Sequence, residues 1–158
     1  MKAYVIDTNI PVVANGRGIT VGAECVSKCQ RMLLRLIKKY MIVIDGHGLI
    51  LGEYKRRLSF SGQPGVGDYF FKWLFDNQFR EKKCERVQVR YNPDDETNLD
   101  DFPDESELNG FDPSDRKFVV VALGSKNRPK IMHATDRGWL RFEAALSAHG
   151  ITIEHLCE

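Results

Sequence analysis

Ala3-Tyr4-Val5-Ile6-Asp7-Thr8-Asn9 and Lys130-Ile131-Met132-His133-Ala134-Thr135-Asp136 share one pattern, a short apolar run that ends in a carboxylate beside turn-forming residues. Runs of this length and composition read as buried strands. If the two strands are parallel, Asp7 and Asp136 emerge at the same edge of one sheet, where open α/β folds place their ligands. Between them the chain alternates further β-branched runs with helical stretches, the signature of βαβ units. Strands are expected at 3–7, 41–45, 86–90, 130–134 and 150–154. Helices are expected at 23–40 (Val26, Cys29, Leu33, Leu36, Ile37 and Tyr40 at helical spacing), 48–58, an aromatic stretch from Tyr69 to Phe79, Asp112 to Gly124, and Trp139 to His149. The expected fold is α/β, a three-layer α/β/α arrangement around a parallel sheet of about five strands, within a single domain covering 1–158.

At 158 residues, with 42% hydrophobic and 28% charged residues, the chain suits one globular domain with a proper core. No apolar stretch reaches the length of a membrane span, and the first residues enter a strand without a leader pattern. These features predict a cytoplasmic protein with no membrane partner. Cys25 and Cys29 lack the second pair that a zinc half-site needs, so Cys25, Cys29, Cys84 and Cys157 read as reduced thiols. His47, His133, His149 and His155 lie far apart in sequence and read as surface or core residues.

The net charge of +1 conceals an asymmetry. Ten of the 22 acidic residues lie between Asn92 and Asp115 with no Lys or Arg among them, which leaves 23 basic residues against 12 acidic ones elsewhere. The segment 92–111 reads as an acidic loop insertion, either a solvated one or a cover that mimics nucleic-acid phosphate. Basic clusters such as Lys55-Arg56-Arg57 can neutralise phosphates, or can be solvated helix faces. The aromatic helix offers a base-stacking surface, or core and a dimer interface.

Four acidic residues fall where a strand ends or a helix begins: Asp7, Glu53, Asp115 and Asp136. Each has a local reading. Asp7 can cap the following turn, and Asp115 suits the dipole of a helix whose N-cap is Asp112 and whose first residue is Pro113. Glu53 can pair with Arg57 one turn on, and Asp136 can serve a turn before Gly138. In a doubly wound sheet, however, all four face one crevice, and separate caps have no reason to share an edge. Converging carboxylates repel one another unless a cation lies between them, and hard oxygen donors suit Mg²⁺ or Mn²⁺.

Ile6-Asp7-Thr8-Asn9, Leu51-Gly52-Glu53-Tyr54, the run from Ser114 through Asp115-Arg116-Lys117-Phe118 to Ala122, and Ala134-Thr135-Asp136 resemble, in order, the four signature segments of PIN-domain nucleases. The resemblance covers nearly the whole chain. It implies a phosphodiester hydrolase, foremost an endoribonuclease on single-stranded RNA, that uses one or two Mg²⁺ or Mn²⁺ ions. Asp7, Asp115 and Asp136 would ligate the metal, and Glu53 would do so directly or through a water. Thr8, Asn9, Asp112 and Thr135 would orient those groups, and Lys55, Arg56, Arg57 and Arg137 would meet phosphates. Relatives in the family pair as homodimers or with an inhibitor or antitoxin protein. The acidic insertion and the aromatic helix depart from the compact toxin ribonucleases of toxin–antitoxin pairs. The rival expectations are a Mg²⁺-dependent phosphatase and a non-catalytic module that binds nucleic acid or protein.

Overall fold

β1 (Ala3–Ile6) is buried at every position and forms the centre of the sheet. The computed structural model describes residues 1–17 and 20–157. After β1 come α1 (Asn9–Asn15), α2 (Ala23–Lys39), β2 (Met41–Asp45), α3 (Leu49–Arg57), α4 (Val66–Asn77) and β3 (Cys84–Val87). β4 (Tyr91–Asn92), β5 (Asp95–Leu99), α5 (Arg116–Gly124), β6 (Lys130–His133), α6 (Arg137–Arg141), α7 (Glu143–Ser147) and β7 (Ile153–His155) complete the order. The main sheet is β3-β2-β1-β6-β7, parallel throughout, in a three-layer α/β/α arrangement. Parallel strands covered on both faces read as continuous apolar runs, as β1 and β2 do. α5 lies against β1, β2 and β6, while α1, α2 and α4 pack on one another.

The strand order builds outward from β1 to β2 and β3, then resumes on the other side with β6 and β7. The switch point therefore lies between β1 and β6, and Asp7 and Asp136 follow those two strands. Register confirms the neighbourhood, because Ile6 lies beside Met132 and the Asp7 N–H donates to the Met132 carbonyl at 3.0 Å.

Several expectations are corrected. The third strand is Cys84–Val87 rather than 86–90, because β2 ends at Asp45 opposite Val87 and leaves later residues without a partner. The last strand starts at Ile153, since Gly150 turns in a left-handed conformation and the Ile151 N–H is taken by Leu146. The final helix breaks in two at Phe142, whose ring packs on Phe111. α1 was not anticipated; it buries Ile10, Pro11, Val13 and Ala14. The segment 92–111 is folded: β4 and β5 form an antiparallel pair, Arg90 pairs with Asp101, and Leu99, Leu108 and Phe111 enter the core. Apolar anchors hidden among eight carboxylates are what an acidic-loop reading overlooked. Cys25 and Cys157 form a disulfide, against the expectation of reduced thiols, because the C-terminal tail meets α2 across a separation of 132 residues. Cys29 and Cys84 remain thiols, both buried.

Two more buried acids are structural. Asp45, at the end of β2, accepts the N–H groups of His47, Leu49 and Ile50, each at 2.9 Å, and so caps α3. Asp68 accepts from Asn15, Ser59 and Gly65. Replacing Asp45 with Ala strands three backbone donors in a buried place. The expected cost is about 2–3 kcal/mol in urea denaturation, with divalent-ion binding retained. A cost under about 0.5 kcal/mol would refute the capping role.

Candidate metal centre

Asp7 leaves β1 with its carboxylate turned inward and only 4% of the residue exposed. The Trp139 indole N–H donates to its Oδ2 at 2.6 Å, and the Asn9 N–H lies 3.5 Å from Oδ1. Trp139 itself is fully buried and stands on the first turn of α6, so the helix that Asp136 starts also delivers the donor that holds Asp7. Asp136 caps α6 by accepting the Gly138 N–H at 2.8 Å on Oδ1. Its Oδ2 is the atom left for a ligand. Asp115 arrives from the other direction, at the N-cap position of α5, where the preceding 3₁₀ turn Pro113–Asp115 is capped by Asp112 through the Ser114 N–H.

One carboxylate oxygen from each of Asp7, Asp115 and Asp136 lies within 4.8 Å of the others. These oxygens line a cleft of about 360 Å³ together with Thr8, Asn9, Glu53, Arg56, Arg57, Asp112 and Ser114. Burial pushes the Asp7 carboxyl up to about 7, with Trp139 opposing and Asp136 and Glu53 adding repulsion. Burial likewise pushes Asp115 up to about 8, reinforced by Asp7, Asp136 and Asp112 and opposed by Lys117. The donors of this group are all hard and anionic, the set that Mg²⁺ or Mn²⁺ would fit.

Glu53 lines the same cleft but is not one of the three clustered carboxylates. Lys117 Nζ donates to its Oε1 at 2.8 Å, and the Thr8 hydroxyl donates to Oε2. The expected local pairing with Arg57 is thus replaced by a partner on α5. Lys117 also donates to the Ser114 carbonyl. Sequence reasoning missed Lys117 as a functional residue, although the helical phase was legible: Lys117 precedes buried Val121 by four positions and therefore points inward.

The surrounding residues divide. Asn9 bridges the two strand ends, its Oδ1 accepting the Ala134 N–H at 3.1 Å. Thr8 acts on Glu53, and Asp112 caps the turn before Asp115 while also lining the cleft. Thr135 is exposed and does not line the cleft. Arg56 and Arg57 line it, whereas Lys55 sits 5.7 Å above the Phe60 ring and Arg137 is exposed at the start of α6. A further support was not anticipated. The Asp136 N–H donates to His133 Nδ1 at 3.1 Å, which leaves His133 Nε2 to donate to His155 Nδ1 at 2.6 Å. His155 Nε2 then donates to Glu143 at 2.8 Å, so two linked imidazoles, buried His133 and half-buried His155, fix the Asp136 loop.

The three sulfurs of Cys25, Cys29 and Cys157 also lie close together, but two of them share the disulfide. Comparison with protein-family models, with curated proteins and with solved structures gives no match.

A carboxyl whose folded value is raised holds its proton more tightly folded than unfolded. Its ionisation therefore subtracts stability, and the loss grows as pH rises from the ordinary value of 3.8 towards 7 for Asp7 and 8 for Asp115. In EDTA the melting temperature should fall between pH 5 and 8, with a slope of at most about 1.4 kcal/mol per pH unit for each proton. Mn²⁺ should flatten that slope. A melting temperature that rises with pH in EDTA would contradict the arrangement.

Proposed function

We propose that the chain is a Mg²⁺- or Mn²⁺-dependent nuclease that hydrolyses phosphodiester bonds, with single-stranded RNA as its foremost substrate. The observation that carries this reading is the convergence of the Asp7, Asp115 and Asp136 oxygens within 4.8 Å in a cleft flanked by Arg56 and Arg57. The resemblance to PIN-domain nucleases supports the same reaction from the sequence.

Phosphodiesters are anionic and repel hydroxide, and a divalent cation when bound screens that charge and acidifies the attacking water. The residues of the chain perform the rest. Asp7, Asp115 and Asp136 hold the cation, each from a different element, so small shifts in one do not dismantle the set. Trp139 and Gly138 take one oxygen each of Asp7 and Asp136, which fixes the carboxylate planes. Asn9 clamps the two strand ends that carry them. Arg56 and Arg57 supply guanidinium groups that fork onto phosphate oxygens and orient the scissile group. A phosphatase with a carboxylate nucleophile would instead want a second Asp two residues after the first, where this chain has Asn9.

Cleavage of labelled single-stranded RNA and of single- and double-stranded DNA, with Mn²⁺, Mg²⁺ or EDTA, tests the reading. Cutting should depend on the metal and fall by more than about two orders of magnitude in Asp7→Asn. That variant should stay folded, because an amide oxygen still accepts from Trp139, and should melt higher than the wild type at pH 8 in EDTA. Metal-dependent release of phosphate from monoesters, with nucleic acid left intact, would replace the nuclease by a phosphatase. Asp7→Asn cutting as well as the wild type would remove Asp7 from the chemistry.

A further inference from the structure

Two-metal hydrolases set their ions about 3.5–4 Å apart, so that one cation faces the attacking oxygen and the other the leaving oxygen. The second ion needs carboxylates of its own, beyond those that hold the first. In this cleft the only remaining candidate among the described lining acids close to the three aspartates, apart from the exposed cap Asp112, is Glu53. Both its oxygens are engaged, one by the Lys117 ammonium at 2.8 Å and the other by the Thr8 hydroxyl. The pair is shielded, with the Lys117 side chain 10% exposed and that of Glu53 17% exposed. It is also cross-braced, since Lys117 stands on α5 two residues after Asp115 and Thr8 directly follows Asp7.

Resting on the nuclease reading of this site, we propose that Lys117 stands in for the second cation: the centre takes one divalent ion, on Asp7, Asp115 and Asp136, and the Lys117 ammonium supplies the other positive charge. The charge pattern requires something of the kind. Three aspartates form a nest for a dication, and a fourth carboxylate beside them would raise the affinity for a second dication were it not already neutralised. An ammonium has three donors. Glu53 and Ser114 account for two of them, and the side chain lines the small crevice that adjoins the cleft at Glu53, Arg56 and Ser114. Unlike a second ion, this charge is covalently attached and does not depend on metal concentration.

The experiment is Mn²⁺ titration, followed by electron paramagnetic resonance of free Mn²⁺ and by calorimetry, at neutral pH without substrate. Wild type should bind one ion in the cleft, identified as the one lost in Asp7→Asn. Glu53→Gln should keep that ion within about threefold in affinity, because Glu53 does not ligate it. Lys117→Met should gain a second ion, since it leaves Glu53 as an unneutralised, half-buried carboxylate in the cleft, and the double variant Lys117→Met with Glu53→Gln should return to one. Two Asp7-dependent ions in the wild type, or a loss of more than about tenfold in Glu53→Gln, would overturn the single-ion assignment while leaving the nuclease reading standing. Lys117→Met folded and still limited to one ion would overturn it as well. A folded wild type that binds no Mn²⁺ would sink both. Circular dichroism identifies a Lys117→Met that does not fold, in which case the wild-type and Glu53→Gln titrations decide.

Discussion

The structure depends on an unfavourable contact: three carboxylates pressed together at the carboxyl ends of two central strands, with Asp7 drawn almost wholly out of water. Burying charge costs several kcal/mol even when hydrogen bonds soften it, and here one indole N–H and a long backbone contact are what Asp7 receives. The surrounding elements read as the framework that forces this contact. β1 is held between β2 and β6, α5 presses Asp115 against the same point, and α6 brings both Asp136 and Trp139.

Asp45 and Asp7 are hard to tell apart by their local sequence setting. Both Asp7 and Asp45 close a buried parallel strand and precede a helix. At Asp45 the chain turns through Gly46 to Gly48 and brings three N–H groups back onto the carboxylate. At Asp7 the helix begins two residues on, at Asn9, whose N–H reaches the side chain only at 3.5 Å, in place of the three close donors at Asp45. The two sites differ in where the donors go, and that is a property of backbone path rather than of residue type.

This explains what was legible in the sequence. The parallel sheet and the placement of Asp7, Asp115 and Asp136 at its carboxyl edge followed from apolar runs punctuated by acids, since strand burial and helix capping are local rules; the strand order, and with it the switch point, came only from the tertiary structure. The partner of Glu53 was not legible. Arg57, four residues away, satisfied the local rule, while Lys117 won through tertiary packing of α3 on α5. The disulfide and the imidazole chain escaped for the same reason: Cys25 with Cys157, and His133 with His155, meet only after the sheet has formed. The acidic segment was misjudged because charge density masked its four apolar anchors, Leu99, Phe102, Leu108 and Phe111, the aromatic two stacked at 5.3 Å. Held in this way, its negative charge has a fixed address, with Glu96 lining a crevice beside Arg56 and Lys117.

Trp139 has one more consequence. The chain has two tryptophans, and one of them is both fully buried and hydrogen-bonded to a carboxylate of the aspartate cluster. The excited state of an indole shifts electron density from its pyrrole to its benzene ring, so its emission energy responds to charge placed along that axis. A change of charge at Asp7 occurs 2.6 Å from the pyrrole nitrogen, whereas Trp73 lies on α4 away from the cleft lining. The fold thus contains an optical electrometer wired to the aspartate cluster, and the colour of its fluorescence reads the charge at Asp7 without any added label.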